Sequence, residues 1–141
     1  MRELNRVILH CTATPKEMRV DVNTLTVWHQ ARGFSTCGYH YLLHQDGECE
    51  IGRPVLQKGA HTKGYNFDSI GVAYCGGVDK DNRPKDTMTI KQEIAFLRLV
   101  DSLRVVFGPL TIHGHNEFSN KACPSFDVQQ KFEFLKLKNN D

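Results

Sequence analysis

The sequence predicts a single α/β domain, and three features carry that expectation. Short apolar runs recur at 6–11, 38–43, 69–75 and 110–112, helical patterns occupy 21–32 and 89–107, and turn residues separate them. The 141 residues, 40% hydrophobic and 24% charged, match one globular domain with a substantial core and leave no length for a second. The domain is expected to fill residues 1–141, its core running from about residue 5 to about residue 136.

Arg6-Val7-Ile8-Leu9-His10-Cys11 is an apolar run ended by Thr-Ala-Thr-Pro, and reads as an interior strand with His10 at its carboxyl end. Asp21 to Arg32 predicts a helix capped by Asp21 or Asn23 and stopped at Gly33, with Val22, Leu25, Trp28 and His29 along one face. Trp28, at helical spacing from Leu25, is expected in the core. Gly38 to Leu43 alternates, Gln45-Asp46-Gly47 turns, and Glu48 to Ile51 returns, which makes a hairpin. Alternation puts Tyr39 and Tyr41 on one face and His40 on the other. Residues 52–68 form a loop too long and polar for a plain connection, as in a wall of a binding groove.

Ser69 to Cys75 is a further apolar strand, closed by Gly76-Gly77 and followed by a charged turn from Asp79 to Lys85. Thr89 and Gln92 form a capping box for a helix with the stripe Ile90, Ile94, Leu97, Val100 and Leu103, ending near Gly108-Pro109. Leu110-Thr111-Ile112 is a short buried strand. Asp127 caps a last helix carrying Val128, Phe132 and Leu135, before the polar tail Lys138-Asn139-Asn140-Asp141.

A formal charge of +2 and a pI near 8.3 are too mild for a nucleic-acid binder, and a slightly basic surface suits an anionic polymer. No apolar run reaches membrane-spanning length, and Met1 to Arg6 lacks the apolar core of a signal peptide, so a cytoplasmic product without nucleic-acid or membrane partners is expected. Cys11, Cys37, Cys49, Cys75 and Cys123 are odd in number and unpaired in spacing, which predicts reduced thiols; all but Cys123 read as packing residues.

The chemistry concentrates in Ile112 to Asp127, sixteen residues that hold His113, His115, Lys121 and Cys123. Imidazole and thiolate are the ligands zinc prefers, and a catalytic zinc uses three protein ligands so that water keeps the fourth position. Taken singly, each of these residues is more often a core or surface group than a ligand; the clustering is the signal. His10, distant in sequence and on a rigid strand, supplies the best third ligand. His113 and His115 would share one face of an extended strand, so strand geometry leaves both open. A different reading makes Cys123 the nucleophile of a thiol hydrolase with His115 or His113 as its base, which leaves His10 superfluous.

Six segments together resemble one family: Leu9-His10-Cys11-Thr12-Ala13-Thr14, Gly38-Tyr39-His40-Tyr41, His61-Thr62-Lys63-Gly64-Tyr65-Asn66, Ser69-Ile70-Gly71-Val72, Gly114-His115-Asn116-Glu117 and Lys121-Ala122-Cys123-Pro124-Ser125-Phe126-Asp127. They look like the zinc-dependent N-acetylmuramoyl-L-alanine amidases of type 2, especially short phage lysozymes, relatives of the peptidoglycan-recognition proteins. The resemblance implies a mixed, mostly-β central sheet flanked by helices, one Zn2+ per chain, and hydrolysis of the amide between the muramic-acid lactyl group and L-alanine in peptidoglycan. Carried over position by position, it implies His10, His115 and Cys123 as zinc ligands, with His113 outside the set. Tyr39 falls on the tyrosine beside the zinc water, Lys121 on the lysine that stabilises the tetrahedral intermediate, and His61 and Asn66 on the groove-lining loop. It further implies a monomeric lysin that reaches the wall through a separate pore or export route. A non-catalytic peptidoglycan-binding module is the remaining alternative, which the full residue set argues against.

Overall fold

Val7, Ile8 and Leu9 are wholly buried because the strand that carries them lies between two others and is covered on both faces. The structure, a computed structural model, describes residues 2–137; the polar tail at 138–141 lies outside the described residues. In chain order the elements are β1 (Arg6–Cys11), β2 (Thr14–Pro15), α1 (Val22–Ala31), β3 (Tyr41–Leu43), β4 (Cys49–Ile51), β5 (Ser69–Tyr74), β6 (Gly77–Val78), α2 (Ile90–Phe107), β7 (Thr111–Gly114) and α3 (Val128–Lys131). Short 3-10 turns span Asn66–Asp68, His115–Glu117 and Glu133–Leu135.

The main sheet has the order β4-β3-β5-β1-β7, in which β3, β5, β1 and β7 run parallel and β4 is antiparallel to β3. β2 and β6 form a separate parallel pair. Strand alternation sorts the side chains between two faces. Val7, Leu9, Cys11, Ile70, Val72 and Tyr74 pack with Phe96, Val100 and Leu103 of α2 and with Val128 and Phe132. On the other face Leu42 and Ala73 pack with Leu25 of α1, Val20, Cys37 and Cys75. Helices therefore cover both faces of a mixed sheet, a single α/β domain as expected. Ile8 and His10, alternating with the residues of the first cluster, belong to the α1 side.

Several local expectations need correction. α1 is capped by Asp21, whose carboxylate accepts the Thr24 N–H at 2.8 Å, and it buries Leu25 and His29. Trp28 is 38% exposed, because the covered stripe of α1 runs through Leu25 and His29 and Trp28, also a neighbour of Leu25, falls at its edge. In α2 the capping box of Thr89 and Gln92 forms, but Ile90 and Ile94 are exposed and the buried face is Gln92, Phe96, Val100 and Leu103. Tyr39 and Tyr41 pack on different clusters, because regular strand begins only at Tyr41. At His40 the ring Nδ1 accepts the Gly71 N–H at 3.0 Å, a bond that a strand carbonyl would otherwise take. The last helix is a single turn followed by the 3-10 turn at Glu133–Leu135.

Gln92 ties α2 to the sheet. Its amide nitrogen donates to the Leu43 and Cys75 carbonyls at 3.1 and 3.0 Å, and its oxygen accepts the Thr89 N–H at 2.9 Å. Gln92→Ala strands buried backbone groups at both ends of this bridge, and is expected to cost about 2–3 kcal/mol in urea denaturation. A loss below about 0.5 kcal/mol would show that the bridge adds nothing net.

Candidate metal centre

His10 stands on β1, 1% exposed, on the sheet face shared with α1. β7 runs parallel beside β1, pairing Leu9 with Gly114, and the 3-10 turn that follows starts at His115. The two imidazoles are thereby brought together, with ring centroids 4.5 Å apart. Cys123 reaches the same point from the loop before α3, and its Sγ accepts the Cys11 N–H at 3.1 Å. One ligand atom from each of His10, His115 and Cys123 lies within 4.8 Å of the others.

His113 does not share this position. The strand ends at Gly114, so the regular alternation that would align His113 with His115 stops between them. The His113 ring is engaged outside the centre, with Nδ1 3.0 Å from Glu117 Oε1 and Nε2 2.8 Å from Thr111 Oγ1. Glu117 also accepts the Gly114 N–H at 2.7 Å and thus braces the backbone one residue before His115.

Burial drives the His10 pKa well below the usual histidine value, and the nearby His61, His115 and Lys121 add to this. Burial, then Lys121, also lowers His115. Both rings are therefore neutral near pH 7, with lone pairs free for an ion. Contact with the Cys11 thiol, together with burial, pushes the Cys123 thiol up, so a cation is needed to hold it as thiolate. Two neutral imidazoles and a thiol that a cation would ionise form a donor set that fits zinc.

The centre opens into a cleft of about 490 Å³. Among the described residues its lining includes Arg32, Lys63 and Lys121 but no carboxylate, so it favours an anionic ligand. Tyr39 stands in the wall with its ring centroid 5.0 Å from that of His10; burial, then the thiols of Cys123 and Cys11, raise its pKa, and the phenol keeps its proton. Lys121 is an exposed residue of the rim, close enough for its charge to bear on both histidines. His61 and Asn66 also line the cleft. Burial, then repulsion from His40, lowers His61 to about 3. The Asn66 side-chain oxygen is committed to the loop, accepting the His61 and Thr62 N–H groups at 2.9 Å each.

Three contributors escaped sequence reasoning. Cys11, read as packing, touches Cys123 through its backbone and its thiol. His29 lines the cleft with Nδ1 accepting the Gly38 N–H at 2.8 Å; its place on the α1 face beside Leu25 was the available signal. Thr62 lies 3.2 Å from His10 Nε2, a contact that only the folded loop creates.

Comparison with known proteins bears on the family and the fold. The family model for N-acetylmuramoyl-L-alanine amidase matches residues 1–126. An endolysin of Klebsiella phage KP32 is 35% identical over 140 residues, covering 99% of this chain and 93% of the relative. An endolysin of Escherichia phage T7 is 34% identical over 135 residues, covering 96% and 89%. Among solved structures, the N-acetylmuramoyl-L-alanine amidase endolysin LysCS of Clostridium intestinale URNW superposes with a TM-score of 0.80 at 22% identity, over 94% of this chain and 85% of that one. Drosophila peptidoglycan recognition protein SD gives 0.78 at 22% identity, over 92% and 82%. The two structures share the fold, and on the family match and the phage relatives together the chain belongs to the N-acetylmuramoyl-L-alanine amidase family.

Proposed function

We propose that this chain is a zinc-dependent N-acetylmuramoyl-L-alanine amidase of the lysin type, which hydrolyses the amide between the muramic-acid lactyl group and L-alanine in peptidoglycan. The observation that carries the reading is the convergence of His10, His115 and Cys123 beside a cationic cleft that His115 lines. His10, His115 and Cys123 would hold a zinc ion, which when bound would supply a water of lowered pKa and a Lewis acid for the scissile carbonyl, at a site of net charge +1. The chain's own groups do the rest. Tyr39, with a phenol that stays protonated, orients the attacking water by hydrogen bonding and does not remove its proton. Lys121 offsets the negative charge that develops on the carbonyl oxygen. His61 and Asn66 shape the groove through which substrate passes. The domain acts as one copy of residues 1–141, on wall reached by a separate pore or export route. A Cys123 nucleophile fits less well, because such thiols need a lowered pKa and this one is pushed up.

Mass spectrometry of digested peptidoglycan, alongside metal analysis, tests the reading. The expected products are glycan chains with a free lactyl carboxyl and peptides with a free L-alanine amino group, made by protein holding about one zinc per chain. Cleavage at a sugar–sugar bond, or full turnover in chelator by metal-free protein, would discard it. Tyr39→Phe is expected to keep zinc and to lower kcat by about tenfold to a hundredfold, the worth of one hydrogen bond to a charged group. Unchanged kcat would return Tyr39 to packing.

A further inference from the structure

His61 has a place that the proposed reaction does not use. Its ring is seated against two glycines: a Cβ added to Gly71 would come within 2.6 Å of the ring, and one added to Gly59 within 2.7 Å, both at Cδ2. Gly71 is in the middle of the buried strand β5, where glycine weakens a sheet and signals close approach by another group. The close group here is the His61 imidazole, and on its other side lies His10 with ring centroids 4.9 Å apart.

The hydrogen bonds fix where the protons sit. Ser69 Oγ donates to the Tyr65 carbonyl at 2.7 Å, so towards His61 Nε2, 3.3 Å away, the hydroxyl can only accept. His61 then carries its proton on Nε2 and presents Nδ1 as an acceptor. That Nδ1 lies 2.9 Å from His10 Nε2 and 2.9 Å from Thr62 Oγ1, and Thr62 Oγ1 is 3.2 Å from His10 Nε2. His10 Nε2–H is therefore the donor, shared between His61 Nδ1 and Thr62 Oγ1, and the lone pair of His10 falls on Nδ1. Asn66 holds the acceptors in register by binding the His61 and Thr62 N–H groups.

We propose that the Tyr65 carbonyl, Ser69 and His61 form a tautomer lock that keeps the His10 proton on Nε2 and leaves the Nδ1 lone pair free for the metal. The inference rests on the zinc reading and makes His61 a positioning residue. The 52–68 loop then does two things, because the groove wall sets the orientation of a ligand as well as shaping the substrate path. Outer partners of metal-bound histidines commonly govern affinity in this manner, and their loss costs about 10–100-fold.

Two measurements test it. Long-range 15N spectra of the histidine rings in the intact protein are expected to place protons on His61 Nε2 and His10 Nε2; a proton on His61 Nδ1 would overturn the proposal. Zinc affinity by competition with a chromogenic chelator is expected to fall about 10–100-fold in His61→Phe, which keeps a ring without nitrogens, and by a smaller factor in Ser69→Ala. Affinities within twofold of the parent chain in both variants would also overturn it. Should His61→Phe fail to fold, Ser69→Ala and the spectrum still decide. A parent chain that binds zinc no better than Cys123→Ala would remove the zinc reading instead, and the spectrum would then judge the lock alone.

Discussion

Cys123→Ala is expected to fold, to bind zinc on the order of 10²–10³-fold more weakly than the parent chain, and to leave peptidoglycan intact. Zinc sites of four ligands are worth about 10–16 kcal/mol, so one ligand's share is about 3–4 kcal/mol, and each 1.4 kcal/mol is tenfold. Folding survives because Cys123 is only partly buried against the main cluster, and its truncation chiefly leaves the Cys11 N–H without its sulfur acceptor. That loss is about 1 kcal/mol, small beside ordinary domain stability. His10→Ala and His115→Ala should weaken zinc binding to a similar degree and abolish lysis. His113→Ala is the internal contrast: with its ring held by Glu117 and Thr111, it should change zinc affinity by less than about threefold. Chelator competition on each purified variant, paired with muropeptide turnover, gives both readouts. Zinc lost from His113→Ala but kept by Cys123→Ala would refute the ligand assignment.

What could be read from the sequence, and what could not, follows from the range of the forces involved. β1 was legible to its ends because burial on both faces demands an unbroken apolar run, and the polar threonines after Cys11 fence it. The caps at Asp21 and Thr89 were legible because each is a bond to an N–H three residues away. Faces were harder. The apolar positions of α2 spread over more than one stripe, and Gln92, polar by type, is wholly buried because two carbonyls and an N–H satisfy its amide. The separation of Tyr39 from Tyr41 depends on a side-chain bond from His40 to Gly71, across 31 residues, which no local period encodes. At the centre, residue types and their clustering pointed to His115 and Cys123, and His10 followed from its rigid strand. Strand alternation alone left His113 and His115 both open, and only the family resemblance selected His115; the end of the strand at Gly114, which parts the two rings, is a matter of backbone geometry that no local pattern shows. The contacts of His61 and Thr62 with His10 required a folded loop and two glycines that make room for a ring.

Lys121→Ala is expected to keep zinc and ground-state muropeptide binding while lowering kcat on the order of 10²–10³, the usual cost of removing one oxyanion-stabilising donor. An exposed lysine is ordinarily a solvated surface group. The position of Lys121 argues for more, since it lies two residues before Cys123 and its N–H is anchored on Ser119 Oγ at 3.2 Å. Its charge bears on both histidines, and among the described residues the cleft lining offers it no carboxylate partner. With zinc bound as proposed, the centre would carry a net charge of +1 and would repel a neighbouring cation in the resting state. Attack on the amide reverses the sign of that interaction, because negative charge appears on the carbonyl oxygen only as the transition state is approached. An interaction that is unfavourable before reaction and favourable during it acts on kcat and leaves substrate affinity nearly unchanged. Zinc affinity in Lys121→Ala should be equal to the parent's or slightly higher, since a repulsive neighbour has gone. Steady-state kinetics on a soluble muropeptide separates the outcomes: unchanged kcat with a raised KM would make Lys121 a substrate-holding residue and leave the oxyanion to the metal alone.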